Sequence, residues 1–301
     1  MRLHQFDLTA AMAAVELHTQ AATELTLSEL ARAFQAARCD DSDTRVRKWL
    51  GPFGNRSAWA IPTAELEHAA AAMLRSGYKP STVNRDLSLI GSIYKWAIAQ
   101  RLAPSGFVSP TRAIRRFPEE LRRIEVPAAK LSALLNRARA IPDRRFTVFI
   151  ELLLDTGARK SELLKRRWAD LNIEQQTILC PTTKTGIPRV LHFRSETATL
   201  IQRVWPRTGN PEDLIFEGKR RGQPANFRRS WDKTRKAVAL PELHIHDTRH
   251  IVAAQLLRAG VSSTVAGQTL GNSSQILVRR YGHLETADMK SAQHRRWEAR
   301  K

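Results

Sequence analysis

Apolar residues recur at three- and four-residue steps along the N-terminal third of the chain, the spacing that gives a helix one buried face. Over residues 26–37, Leu27, Leu30, Ala31 and Phe34 form such a stripe, and Thr26 stands where a helix N-cap belongs. A second helix is predicted over 63–74, opened by Thr63 as N-cap and stopped at Gly77. The clearest pattern covers 81–100, where Val83, Leu87, Ile90, Tyr94 and Ala97 share one face. Gly51, Pro52, Gly54 and Asn55 punctuate the stretch before the second of these helices.

The C-terminal half is mixed. Residues 146–155 read as an apolar helix ended by Thr156-Gly157, and 161–169 as another carrying Leu163, Leu164 and Trp168. Short runs at 177–180 and 189–193 flank Lys184-Thr185-Gly186, the signature of a hairpin. Helical patterns follow over 248–259, 263–270 and 274–283, the first two stopped by Gly260 and Gly271; the tail from Leu284 is polar and basic. Between the halves, Pro110, Pro118 and Pro127 bracket Arg112, Arg115, Arg116, Arg122 and Arg123. Such a run is either a solvated linker or a linker that also touches backbone phosphate. The division expected is a helical domain over 1–112, a basic linker over 113–127 and a second domain over 128–301.

Charge narrows the function. Lys and Arg total 49 against 29 Asp and Glu, a net +20 that repels itself and calls for a polyanionic partner. Nucleic acid answers that need, because each neutralised phosphate releases counterions. A membrane surface fits less well: there is no strongly amphipathic basic helix, no lipidation motif and no apolar run near the roughly 18 residues of a membrane span. The N-terminus lacks a signal-peptide core, and Cys39 and Cys180 are the only cysteines. These features lead us to expect a reducing, cytoplasmic setting.

Two arginines then stand out. Arg159 lies where a helix begins, and Arg249 lies in the first turn of another, after the capping candidate Asp247. A cation there opposes the helix dipole, yet helix N-termini are anion sites, and forked guanidinium donors suit phosphate. The plainer alternative is that each arginine pairs with a neighbouring carboxylate such as Glu162 or Asp155. His246, three residues before Arg249, can address the same anion or move a proton. Lys184 sits at the expected hairpin tip. Tyr281, flanked by Arg279 and Arg280 and followed by His283, is a candidate nucleophile.

Together these segments resemble the tyrosine recombinase, or phage integrase, family. Residues 156–163 (TGARKSEL) look like its first arginine box, and Thr183-Lys184-Thr185-Gly186 with Arg189 and Val190 like its β-hairpin lysine. His246-Asp247-Thr248-Arg249-His250 is similar to its His-x-x-Arg box, and Leu270-Gly271 followed by Tyr281-Gly282-His283 to its last box and nucleophile. The resemblance is specific over roughly 131–283 and looser over 27–100. It implies a mainly α fold with a small β-sheet: a helical SAM-like core-binding domain followed by an α+β catalytic domain. Few residues precede the helix near Thr26, so a separate arm-site-binding domain is not expected.

By this resemblance, Arg159, Arg249 and Asn272 hold the scissile phosphate of double-stranded DNA at a specific recombination site, and Tyr281 attacks to give a 3′-phosphotyrosine. His246 and the surrounding arginines supply the base or the positive charge a phenol needs, and Lys184 protonates the leaving 5′-oxygen. Neither ATP nor a metal cofactor is required, and exchange through a four-way junction implies a homotetramer on paired sites. DNA backbone contacts are expected from Arg85 and Lys95, from Arg112, Arg115 and Arg116, and from Lys160, Arg189, Arg279 and Arg280. Asn272 departs from the family, which usually carries histidine or tryptophan there; its amide can donate a hydrogen bond but cannot serve as acid or base. Two other readings of the same residues are a type IB topoisomerase, which relaxes supercoils without partner sites, and a non-catalytic DNA-binding protein. A metal-dependent nuclease is disfavoured for want of a carboxylate cluster.

Overall fold

The computed structural model describes residues 25–38, 43–119, 124–181, 188–279, 281 and 297–298. Contacts part the chain into two units between Glu120 and Leu121, each with its own core.

The first unit contains α1 (Leu27–Arg38), α2 (Asp43–Phe53), α3 (Thr63–Arg75) and α4 (Pro80–Ala99). A reciprocal cap opens α1: the Thr26 N–H donates to Glu29 at 2.9 Å, and the Glu29 N–H donates to Thr26 Oγ1 at 3.3 Å. The buried stripe of α1 is the one its periodicity predicts. The first turn of α4 begins with Pro80, where a missing N–H costs nothing. Its predicted face is buried and widened by Leu89 and Ile93, and it packs on the other three helices. Tyr94 is fully buried there, its hydroxyl donating to the Ala58 carbonyl at 2.8 Å; burial pushes the phenol far above its ordinary pKa.

Three local expectations need correction in this unit. The Gly51-Pro52 break lies inside α2, because Val46, Trp49 and Phe53 are buried at three- and four-residue spacing and that burial outweighs local propensity in the last turn. Pro62, not Thr63, occupies the N-cap of α3, and no side chain caps it. The stretch after Arg112 is also no free linker up to Glu119. Ile114 is buried and Phe117 packs on the same core, while the Asn84 amide exchanges two hydrogen bonds with the Phe117 main chain (2.9 and 3.0 Å). Ile124 and Val126 pack instead on the second core.

The second unit runs α5 (Ala128–Arg139), α6 (Arg144–Thr156), α7 (Lys160–Leu164), β1 (Leu171–Asn172), β2 (Thr177–Cys180), β3 (Arg189–His192), α8 (Ser195–Val204), α9 (Arg228–Ala237), α10 (Asp247–Arg258) and α11 (Ser263–Leu270). A last helix, α12, covers 274–279, with Tyr281 helical just beyond. The strands form an antiparallel sheet in the order β1-β2-β3, with Ile178 opposite Leu191 and Cys180 opposite Arg189. Ile178, Cys180 and Leu191 enter the core, while Leu179 and Val190 face outward, as a period of two demands. The expected hairpin is therefore present. Its connection, residues 182–187 with Lys184, lies outside the described residues.

At the centre of this unit stands α6. Every residue from Phe146 to Leu153 is buried, and the helix packs against α5, α8 and α10. The helix expected over 161–169 is shorter: α7 ends at Leu164 and a 3-10 turn, Trp168–Asp170, follows. Arg166 explains the break. Its Nε donates to the Glu162 carbonyl at 2.9 Å, while its own N–H turns tightly to Leu163 O at 3.0 Å.

Candidate active site

The end of α6 sets the first arginine. Gly157 caps the helix in the left-handed conformation (φ 59°), and a Cβ there would lie 2.3 Å from Leu270 Cδ2 and 3.1 Å from Val252 Cγ1. The chain thus turns tightly beneath α10 and α11 and delivers Arg159 to the start of α7. The Arg159 N–H donates to Glu162 Oε2 at 2.8 Å, and its guanidinium donates to Glu162 Oε1 at 2.7 Å and to the Gly271 carbonyl at 2.9 Å. Arg189, from β3, reaches the same carboxylate at 2.5 Å and donates to the Thr269 carbonyl at 2.7 Å. Burial alone would raise the Glu162 pKa; the hydrogen bonds from Arg159 and the charges of Arg189 and Arg159 outweigh it and hold the carboxyl below its ordinary value.

The second arginine comes from α10. Asp247 is the first helical residue and His246 takes the N-cap position, one residue earlier than expected. Arg249 is 4% exposed, and its Nη1 donates to the Gly157 carbonyl at 2.9 Å. Its Nη2 is buried without a partner among the described residues. Burial, then the nearby charges of Arg159 and Arg189, push its pKa down to about 9, so the group remains a cation at neutral pH. Three guanidiniums here share one carboxylate. That is an anion site by charge as well as by geometry.

Asn272 follows Gly271, the left-handed cap of α11 (φ 63°). Its Oδ1 accepts from Arg159 at 3.2 Å, which a guanidinium, being donor-only, requires, and its Nδ2 keeps two N–H donors. Tyr281, half-buried, completes the group: its hydroxyl is hydrogen-bonded to Nδ1 of His250. The His246 and His250 rings lie 5.7 Å apart and nearly perpendicular. Arg159, His246, Arg249, His250, Asn272 and Tyr281 line one open cleft of about 520 Å³.

A tyrosine hydroxyl beside an imidazole, in a cleft with two arginines at helix starts, is a constellation for attack on a phosphodiester. Residues 126–288 match the phage integrase family. The chain belongs to that family. As a tyrosine recombinase it also shares 26% identity over 253 residues with tyrosine recombinase XerC of Xanthomonas campestris pv. campestris, covering 79% of this chain and 74% of that one. Identity is again 26% over 267 residues with tyrosine recombinase XerD of Chlorobaculum tepidum, covering 82% and 84%. Among solved structures, the Tn1549 transposon integrase in complex with transposon right-end DNA matches with a TM-score of 0.68 at 16% identity, over 89% of this chain and 99% of that one. A lambda integrase tetramer bound to a Holliday junction matches with a TM-score of 0.62 at 18% identity, over 91% and 83%. The mainly α architecture with its small sheet is the fold of these integrases.

The second unit brings Arg159, His246, Arg249, Asn272 and Tyr281 together, five of the residues the sequence nominated. Lys184 and Arg280 lie outside the described residues. The pairing of Arg159 with Glu162, raised as the plainer alternative, does occur, and it serves the site by orienting the guanidinium. Arg189, nominated for DNA contact, is nearly buried: Nη1 donates to the Thr269 carbonyl and Nη2 to Glu162, and Nε is buried without a partner among the described residues. Arg85, Lys95, Arg112, Arg115, Arg116 and Arg279 are exposed, and Lys160 is half-exposed. The cleft residue that the sequence reading did not nominate is His250. It was readable: His246, Arg249 and His250 fall at i, i+3 and i+4, one face of a helix.

Proposed function

We propose that this recombinase cuts and rejoins duplex DNA at a specific site, in the cytoplasm, with Tyr281 as nucleophile. Arg159, Arg249 and the Asn272 amide hold the non-bridging oxygens of the scissile phosphate, and His246 joins them from the start of α10. Their pull grows as charge gathers on the pentavalent phosphorus. Tyr281 Oη displaces the 5′-oxygen, which takes a proton from Lys184, and leaves a 3′-phosphotyrosine. A free 5′-hydroxyl from the partner strand reverses the attack. The exposed cations Arg85, Lys95, Arg112, Arg115, Arg116 and Arg279, with Lys160 and Arg280, contact the DNA backbone. Pairing two sites calls for four protomers, in keeping with the tetrameric lambda integrase of the same fold.

The observation that carries this reading is the Tyr281 hydroxyl opening onto the cleft of Arg159 and Arg249. The test is a suicide substrate, a nicked duplex carrying the recombination site. The protein is expected to form an SDS-stable adduct with it, and Tyr281→Phe to bind equally well and form none. Tight binding without an adduct in the wild-type protein would leave a DNA-binding protein of this fold.

A further inference from the structure

We infer that His250 is a catalytic residue of this recombinase, the group that takes the proton of Tyr281 on attack and returns it on rejoining; the inference rests on the function proposed above. The basis is geometric. The imidazole hydrogen-bonded to the Tyr281 hydroxyl is that of His250, through Nδ1. Rings of the two residues lie 6.1 Å apart between centroids, tilted by 49°, so the bond is made edge-on by the ring nitrogen and not by stacking. His250 is half-buried on α10, one residue past Arg249, whose main chain is fixed by the same helix and whose Nη1 is tied to Gly157. A base held this way needs no rearrangement to meet its proton donor.

The proton balance closes with groups already named. In the neutral ring, Nε2 carries the hydrogen and Nδ1 accepts from Tyr281 Oη. Oη forms its bond to phosphorus, the bond from phosphorus to the 5′-oxygen breaks, the phenol proton passes to Nδ1, and Lys184 protonates the departing oxygen. On rejoining, the incoming 5′-hydroxyl gives its proton to the now neutral Lys184, and the His250 imidazolium reprotonates Oη as it leaves. His246, ring to ring with His250, addresses the phosphate with Arg249. Among the described residues, the other charged or titratable groups lining the same cleft are His246 and Arg249 from α10 and Arg159 from the start of α7.

Leaving-group chemistry separates a base on the nucleophile from an acid on the leaving oxygen. His250→Asn keeps an accepting oxygen near the Nδ1 position but cannot carry a proton; His250→Ala removes both functions. With nicked site DNA, both variants are expected to bind normally and to form the adduct at least about 100-fold more slowly. Replacing the scissile 5′-oxygen by sulfur, which leaves without protonation, is expected to rescue Lys184→Ala and neither His250 variant. Wild-type adduct formation is expected to fall on acidification as the base is protonated, and His250→Asn to lose that limb. Adduct formation by His250→Ala within about threefold of wild type, or its rescue by sulfur, overturns the inference. A readout independent of substrate is NMR of histidine labelled with heavy nitrogen in the full-length, DNA-free protein. One Nδ1 signal, absent in His250→Asn, should move in Tyr281→Phe; an unmoved signal refutes the contact. Failure of the wild-type protein to form any adduct would count against the proposed function instead.

Discussion

Glu162 is the residue on which the site's geometry hangs, though it cannot itself touch substrate. It is 7% exposed and takes hydrogen bonds from the Arg159 backbone, the Arg159 side chain and Arg189. Removing its charge leaves two guanidiniums uncompensated, so Glu162→Gln should destabilise the chain by about 3 kcal/mol and slow adduct formation. Its pKa is lowered on folding from 4.5, so the carboxylate contributes in full above that value and the contribution is lost as pH falls through the lower folded value. Denaturant unfolding should therefore show a gap between wild type and Glu162→Gln that is constant near neutrality and narrows below pH 4.5. A gap that held its size in acid would show that shape and not charge sets the cost. At this scale the sequence was partly readable. Arg159 and Arg249 could be nominated because a cation at a helix start is unusual, and Tyr281 because arginines flank it. Glu162 could be named only as a local partner of Arg159, and Arg189 only as a DNA contact, because their pairing joins β3 to α7, which no local spacing records.

Among the elements, the α6–α7 junction carries the strictest demand. Gly157→Ala would place a side chain at φ 59° and 2.3 Å from Leu270 Cδ2. The left-handed backbone costs about 1–2 kcal/mol and the crowding about 1–3 kcal/mol more. Thermal unfolding should show that loss, and Arg159 should be displaced enough to abolish adduct formation. Trimming the neighbour with Leu270→Ala should recover the crowding component only. Helices with one strong apolar stripe, α1 and α4, were legible in the sequence. The sequence missed α2, α5, α8 and α9; of these, α2 hides its Val46, Trp49, Phe53 stripe behind Gly51 and Pro52, and α9 buries only Trp231 and Thr234 in an otherwise charged run. The terminus of α7 depends on where the Arg166 side chain goes, a tertiary fact.

For the whole molecule, the excess of positive charge sets how DNA is held. Binding should weaken steeply with salt, with a log–log slope near −0.9 for each phosphate neutralised. Arg85→Ala and Lys95→Ala, on the exposed side of α4, should each flatten that slope by about one without changing the preferred site. Unchanged slopes would remove both residues from the DNA contact. That the chain divides in two follows from the sequence, since its two halves carry different periodicities. The parting near Glu120 does not, because Ile114 and Phe117 reveal their allegiance only by packing.

The unequal sharing of one carboxylate among Arg159, Arg189 and Arg249 has a thermodynamic consequence away from catalysis. Without DNA, like charges stand at close range among Arg159, Arg189 and Arg249, and their repulsion is subtracted from the folding energy. A bound phosphodiester is then a counter-ion as well as a substrate. By mass action, a ligand at a hundred times its Kd adds about 2.7 kcal/mol to the folded state. The enzyme is accordingly at its sturdiest while engaged on DNA, and any oxyanion that enters the cleft competes with substrate for that stabilising role.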